Sequence, residues 1–326
     1  SQVMIVLVAF FLPILGAAWL LYSARKKNTS RNYAVHEKGI ILVTGASTGI
    51  GRHAVEYLAR KQKFIVLAGV RKESDFKAIE ESNITNLKPI LLSPTSHESC
   101  LQAVKNIESM MQAHSVPFIG LVNNAGVSRV VPLEFHDLKD IQDVFDINVI
   151  APIRLTQLFL PLLKQSKGRI INISSTSGFI ASPTMSVYCA SKWALEAISD
   201  GLRREVDHND ISVTVIQPAY IKTPILNHIL HKSAETAVRK NDECYQNYEL
   251  FFNDKACSRR QQLIESDSSD PIVVSKAIEN ALVSSKPQTR YIVGKVLGWH
   301  AWCWSYVCWA NSDRQMDFTL LYDTKI

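Results

Sequence analysis

The chain has 326 residues, a formal net charge of +6, 47% apolar residues and 20% charged residues. That length suits one large α/β domain with additions or two small domains, and the apolar share allows a full buried core. The mild charge gathers into no basic stripe beyond residue 40, which disfavours nucleic acid as a partner, and six cysteines without Cys-x-x-Cys spacing offer no metal framework.

Free thiols in a reducing compartment are the simplest reading of those cysteines, with a lumenal disulfide as the alternative. From Val3 to Tyr22 the chain carries no charge, and as a helix this run is about 30 Å long, enough to cross a hydrocarbon core. Arg25, Lys26, Lys27 and Arg31 follow at once. No basic residue precedes the apolar run, so it lacks the charged start of a cleaved secretory signal, which is the competing reading. The expectation is a membrane anchor over 1–24 and a basic linker over 25–37, with everything after Arg25 on the cytosolic side.

Gly39 to Thr44 reads as a buried strand, and Gly45-Ala46-Ser47-Thr48-Gly49-Ile50-Gly51 follows before a helical pattern through Ala59. Strand, glycine-rich turn and helix start present backbone N–H groups to a pyrophosphate. A glycine triplet alone is a weak signal; the strand-turn-helix context strengthens it. The next strand, Phe64 to Val70, ends at Arg71. In a doubly wound sheet this strand's tip meets the adenosine ribose, where an arginine pairs with the 2′-phosphate of NADP and an acidic residue with the hydroxyls of NAD. Arg71 favours NADP(H), with NAD(H) as the alternative; an ordinary solvated loop arginine is the bland account.

Further strand and helix patterns alternate: helix 74–81, strand 88–92, helix 98–113, strand 119–122 ending in Asn123-Asn124-Ala125-Gly126, a long helix 138–163 with Asn148 near its middle, and strand 169–175. Another strand covers 211–216 and leaves through Gln217-Pro218-Ala219-Tyr220-Ile221-Lys222-Thr223. Between them stands Tyr188-Cys189-Ala190-Ser191-Lys192, preceded by Asn172-Ile173-Ser174-Ser175. Tyr188 and Lys192 are four apart and project from one helix face. A free phenol ionises near pH ~10, so an adjacent ammonium that lowers this value makes it usable for acid/base chemistry at neutral pH. A shift of about 3 units requires about 4 kcal/mol, which implies a partly buried site helped by a second cation. By itself Tyr-x-x-x-Lys usually marks an ordinary amphipathic helix.

Together, Thr44-Gly45 with Gly49 and Gly51, Asn123-Asn124-Ala125-Gly126, Asn148, Ser175, Tyr188, Lys192, and Pro218 with Thr223 resemble the short-chain dehydrogenase/reductase family, most closely its membrane-associated retinol and hydroxysteroid dehydrogenases. The resemblance covers residues about 38 to 300. It implies a Rossmann-like, doubly wound parallel sheet with helices on both faces, preceded by one transmembrane helix. It also implies NAD(P) along the strand tips, contacted by Gly45, Ser47, Thr48, Gly49, Ile50, Gly51, Arg71, Asn123 on the adenosine side, Ala125, Gly126, Pro218, Ile221 through its amide and Thr223. Tyr188 is expected as proton donor or acceptor and Lys192 as the group that lowers its pKa while holding the nicotinamide ribose, both therefore also contacting the cofactor. Ser175 would orient the substrate oxygen, and Asn148 would keep a water beside Lys192. Ala219, where glycine is commoner, and Ser93-Pro94, where an aspartate is common, depart from the pattern.

These expectations place the catalytic domain at 38–310 with a substrate lid at 224–270 and a tail at 311–326. Tyr245, Tyr248, Phe251 and Phe252 make one apolar face in the lid, equally readable as a packed surface helix. Trp299, Trp302, Trp304, Tyr306 and Trp309 suit a membrane interface or a pocket mouth. His228 and His231 stand without cysteine or paired carboxylate, and no metal is expected. The function expected is interconversion of a lipophilic alcohol, steroid- or retinoid-like, with its ketone or aldehyde. A single-pass protein of the endoplasmic reticulum or another intracellular membrane is implied, with a homo-oligomer expected. A nucleotide-sugar epimerase or dehydratase and a non-catalytic membrane scaffold are the alternatives; the first usually spaces its glycines differently, and the second would be expected to lose Ser175, Tyr188 or Lys192.

Overall fold

The computed structural model describes residues 31–224, 248–296 and 299–300. The apolar run Val3–Tyr22, the basic residues 25–27, His228, His231, Tyr245, the Trp302–Trp309 cluster and the tail therefore lie outside the described residues.

Seven parallel strands form one sheet in the order β3-β2-β1-β4-β5-β6-β7. They are β1 (Ile40–Thr44), β2 (Ile65–Val70), β3 (Leu87–Leu91), β4 (Phe118–Asn123), β5 (Arg169–Ile173), β6 (Ser212–Pro218) and β7 (Arg290–Val293). The crossovers supply α1 (Gly49–Arg60), α2 (Glu73–Glu80), α3 (His97–His114), α4 (Leu138–Phe145), α5 (Ala151–Ser166), α6 (Ser186–Glu205), α7 (Asp254–Asp267) and α8 (Ile272–Val283). A short antiparallel ladder pairs Lys295 with His300. The order in which strands are added reverses between β1 and β4, and in such a sheet ligands bind beyond the carboxyl ends of the strands at that switch point.

The central strands β1 and β2 read as near-continuous apolar runs because both faces are covered, whereas the edge strand β3 exposes Lys88 and Leu91. In β1 the side chains alternate: Ile41 and Val43 join Val55, Leu58 and Ile278 on one face, while Ile40 and Leu42 join Ile107, Leu155 and Phe159 on the other. Phe118 and Phe159 meet with ring centroids 4.9 Å apart, seating α5 on the sheet. The continuous helical stretch Leu138–Ser166 is, among the described residues, the one helix long and apolar enough to cross a membrane, yet half of its apolar window is buried inside the domain. Its length serves the core.

Arg169, the first residue of β5, is 1% exposed and lies at the opposite end of the sheet from the strand tips. Its Nη2 donates to the carbonyls of Ala34 (2.6 Å) and Ser284 (2.9 Å), and its guanidinium lies 5.3 Å from the Tyr33 ring centroid. Burial without a carboxylate partner pulls the guanidinium down to about 10. Arg31 adds ion pairs to Asp207 and Asp210, and the Tyr33 amide donates to Ser285 at 2.8 Å. Residues 31–34, at the end of the expected basic linker, are thus tied to the floor of the sheet.

Candidate active site

The turn after β1 is shaped by what a side chain would meet there. Gly45 and Gly49 have φ of +63° and +60°, the left-handed region that glycine enters without strain. A Cβ on Gly45 would lie 2.7 Å from Ala125 Cα, and one on Gly51 would lie 2.3 Å from the Gly45 carbonyl oxygen. The Thr44 hydroxyl accepts from the amides of Asn124 and Ala125, each at 3.0 Å. In return Asn124 Nδ2 donates to the carbonyls of Thr44 (2.8 Å) and Gly45 (3.1 Å). The Asn-Asn-Ala-Gly segment therefore holds the glycine turn in place.

At the start of α1, Thr48 is extended and its side chain makes no capping bond, and the first turn carries no acidic residue. The helix's leading N–H groups and its positive dipole end are left for an anion, as a dinucleotide pyrophosphate requires. A Cβ on Gly49 would come 3.3 Å from Thr223 Cβ, so the exit of β6 closes over this turn. The Thr223 hydroxyl donates to the Ile221 carbonyl at 3.1 Å, and Arg71 is exposed at the tip of β2. These features fit a dinucleotide.

Asn123 is 2% exposed at the end of β4, and its Nδ2 donates to Asn172 Oδ1 at 2.8 Å, which joins β4 to β5. Asn124, one position on, makes the bonds that shape the turn; strand alternation separates the two, and the sequence motif alone does not.

Tyr188 and Lys192 lie on the inner face of α6, with Lys192 Nζ 5.8 Å from the Tyr188 ring centroid. Lys192 is 4% exposed and donates to the Ile173 carbonyl at 2.9 Å. Ser175 follows β5; its hydroxyl accepts from the Ser177 amide at 3.1 Å, and its proximity to the Tyr188 phenol favours the phenolate. Asn148 sits in a π turn, Asp146–Ile150, where the Ala151 amide reaches back to the Asp146 carbonyl. Its Oδ1 accepts from the Val127 amide, and its Nδ2 donates to the Val127 carbonyl and to Ser191 Oγ, all at 2.9 Å. Ser191 Oγ in turn donates to the Tyr188 carbonyl at 2.7 Å. The Asn148 carboxamide thus fixes the loop after Gly126 and the backbone of the Tyr188 turn. A Cβ on Gly126 would lie 3.4 Å from Asn148 Oδ1 and 3.6 Å from Lys192 Nζ, so both groups border that residue.

In the free protein, burial governs the electrostatics of this pair. Burial pushes the Tyr188 phenol up to about 12, against the opposing hydrogen bond from Ser175. Burial also pulls the Lys192 ammonium down to about 8, against the field of Glu196. Desolvation disfavours whichever form is charged, so it drives the two groups in opposite directions and toward a neutral pair. A further positive charge in the cleft is needed before the phenolate becomes accessible near neutrality.

This has a measurable consequence in the free protein. The unfolded lysine keeps its proton to its usual 10.5 and the folded one releases it at about 8. Between those values the unfolded state holds more protons, so stability rises with pH; Tyr188 acts oppositely, but only between 10 and about 12. The urea stability of the wild type relative to Lys192→Met is expected to rise by about 2 kcal/mol from pH about 7.5 to about 9.5. A flat difference would contradict the buried ammonium.

In the described part of the expected lid, Phe252 is 1% exposed and packs with Tyr248, Phe251 and Phe135, the last from a short turn between β4 and α4. The Phe135 and Tyr248 rings meet edge to face at 5.5 Å. The apolar face is therefore packed against the loop that follows Asn-Asn-Ala-Gly. Cys100, Cys189 and Cys257 are free thiols.

The profile of the family described as short chain dehydrogenase matches residues 39–234. The chain is 37% identical over 256 residues to 3-amino-tetrahydro-pyrrolizinone reductase of Xenorhabdus hominickii, an alignment covering 78% of this chain and 86% of the relative. It is 33% identical over 288 residues to retinol dehydrogenase 5 of Homo sapiens (87% and 89% covered). It is 30% identical over 275 residues to the mitochondrial D-beta-hydroxybutyrate dehydrogenase of Rattus norvegicus (82% and 80% covered). Among solved structures, a short chain dehydrogenase from Burkholderia cenocepacia in complex with NADP superposes with a TM-score of 0.61 at 22% identity, covering 85% of this chain and 95% of that one, a likeness of fold. With the glycine turn, the parallel sheet and these matches in agreement, the chain belongs to the short-chain dehydrogenase family of NAD(P)-dependent oxidoreductases.

Proposed function

We propose that the protein interconverts a lipophilic alcohol and its ketone or aldehyde with NADP(H), using Tyr188 as general acid and base. The observation that carries this reading is the convergence of Tyr188, Lys192 and Ser175 at the strand tips beside the glycine turn. The bound nicotinamide supplies or accepts a hydride, and its oxidised ring brings positive charge. Ser175 is oriented by the Ser177 amide, which occupies an oxygen lone pair and leaves the hydroxyl proton for the substrate oxygen. Tyr188 donates its proton to that oxygen during reduction and recovers it during oxidation. Lys192 as an ammonium stabilises the phenolate formed in between. Asn148 and Ser191 hold the backbone on which Tyr188 is mounted. The test is hydride transfer followed at the reduced-nicotinamide absorbance band across a retinoid and steroid panel; absence of turnover with every member would overturn the lipophilic substrate class.

The substrate class does not follow from family membership, since the relatives' names include both a retinol and a hydroxybutyrate dehydrogenase. The aromatic cluster of Phe135, Tyr248, Phe251 and Phe252 supports an apolar substrate. For the cofactor, Arg71 stands exposed at the tip of β2, where a 2′-phosphate would lie. Arg71→Ala is expected to weaken NADPH binding about tenfold, the worth of one charge-assisted hydrogen bond, and to leave NADH unchanged. Titration by nicotinamide fluorescence checks this; equal losses for both cofactors would remove Arg71 from the 2′-phosphate.

Val3–Tyr22 supports anchoring in the endoplasmic reticulum or another intracellular membrane, with Arg25, Lys26 and Lys27 keeping the catalytic domain cytosolic. The full chain is expected to pellet with membranes through alkaline carbonate washing and to become extractable once residues 3–22 are deleted. Extraction of the full chain would refute the anchor. The reading includes a homo-oligomer, which sedimentation in detergent tests: a single-copy mass would refute it.

A further inference from the structure

One turn beyond Lys192 on α6, Glu196 is a carboxylate only 7% exposed. Its Oε1 accepts from Gln217 Nε2 at 2.9 Å, and its Oε2 accepts from Arg290 Nε at 3.0 Å. The turn after Ser175 makes room for it. At Gly178 a Cβ would fall 3.0 Å from Glu196 Cγ, 3.1 Å from its Oε1 and 2.7 Å from Ser174 Oγ. Glu196 therefore stands directly behind the loop that carries Ser175, on the same helix as the Tyr188–Lys192 pair.

Burying a carboxylate costs several kcal/mol before its partners are counted, so its inward position calls for a reason. Arg290 supplies only part of it. That guanidinium also binds Asp200 at 2.7 Å, and Asp200 is further paired with Arg203. The Arg290 side chain is 35% exposed, against 10% for that of Glu196, so the cation lies on the solvent side of the carboxylate. On the inner side, residues four apart on a helix bring their Cβ atoms to about 5–6 Å. Lys192 there is nearly sealed from solvent, with the neutral carbonyl of Ile173 as its hydrogen-bond acceptor.

We propose that Glu196 is a positioning residue for the Tyr188–Lys192 pair, its buried carboxylate acting on Lys192 from one turn further along the same helix. The inference rests on the reading that this pair performs the acid/base step. The groups around Lys192 are Tyr188 and Glu196 from α6, the Ile173 carbonyl from β5 and the Asn148 amide across Gly126 from the π turn. Around Glu196 they are Gln217 from β6, Arg290 from β7 and the Ser174 hydroxyl behind Gly178. Burial weakens the hold of Lys192 on its proton and Glu196 opposes this. Removing the negative charge makes the ammonium harder to keep and the phenolate easier to form. Both changes move deprotonation of the pair to lower pH, so the direction does not depend on which group titrates.

For carbonyl reduction, which needs the phenol protonated and the lysine charged, Glu196→Gln is expected to move the alkaline limb of kcat/KM down by about 1 pH unit. In the free protein, the pH at which stability begins to rise should fall by a similar amount. Glu196→Asp, which keeps the charge, should largely restore the limb. Arg290→Gln, which removes the cation on the far side and serves if Glu196→Gln does not fold, should move the limb upward. Asp200→Asn disrupts the same ion-pair network two turns from Lys192; it should lower the melting temperature and leave the limb in place. Limbs unmoved in both Glu196→Gln and Arg290→Gln would overturn the proposal, as would an Asp200→Asn shift as large as that of Glu196→Gln. Retained turnover in Tyr188→Phe would instead sink the underlying acid/base reading.

Discussion

Tyr188→Phe is expected to lower kcat by about a thousandfold, within the range that a positioned general acid contributes, while changing NADPH affinity less than about threefold. The ring stays, so the packing of α6 against the strand tips stays with it. What is lost is the hydroxyl near Ser175, on the ring whose centroid lies 5.8 Å from Lys192 Nζ. Because the phenol is pushed up to about 12, the missing group is held as a proton donor in the free protein, and carbonyl reduction should suffer at least as much as alcohol oxidation. Melting temperature should hold, since the substitution removes a partly buried polar atom. Initial rates in both directions, paired with cofactor titration and a thermal melt, check all of this. A loss smaller than tenfold would mean that another group moves the proton.

Gly51→Ala is expected to raise the dissociation constant for NADPH at least a hundredfold and to lower the melting temperature. The cause is space and not backbone strain, because Gly51 does not have a positive φ. The added methyl would lie 2.3 Å from the Gly45 carbonyl oxygen and 2.5 Å from Asn124 Nδ2. Backbone cannot rotate aside, so α1 must retreat from the turn and the two Asn124 bonds that shape it must stretch. Gly201→Ala is the matched control: near the C-terminal end of α6, its methyl would meet only Glu205 Oε1 at 3.9 Å. It should stabilise by about 0.5 to 1 kcal/mol through reduced backbone entropy of the unfolded chain. Similar behaviour of the two variants in NADPH titration would show that the close approach at Gly51 does not matter.

Much of the sheet was legible because strands covered on both faces are written as unbroken apolar runs. β1, β2, β3 and β4 fall within one residue of their expected bounds at each end. Strand ends were less legible where the chain turns polar: Arg169–Ser175 was expected and β5 stops at Ile173, because Ser174 and Ser175 already belong to the site. The Tyr188–Lys192 spacing was readable as a shared helix face, but its proton affinities were not, since a spacing carries no measure of desolvation. Asn123 and Asn124 are adjacent letters with opposite destinations. The burial of Arg169 at the floor was not legible, because it depends on the chain around Ala34 and Ser284 folding over it. Glu196 gave no signal beyond helical spacing; its burial depends on the distant Gln217, Arg290 and Gly178.

The π turn at Asp146–Ile150 has a consequence for how this protein tolerates change. Such a turn is an ordinary helix with one surplus residue, so deleting a single residue there would let Leu138–Ser166 wind regularly while α5 kept Leu155 and Phe159 against the sheet. The shortened chain should fold as well as the parent, or better. It would lose the one place from which a carboxamide reaches both Val127 and Ser191. Here a length change that would wreck most core helices would spare the architecture and silence the chemistry.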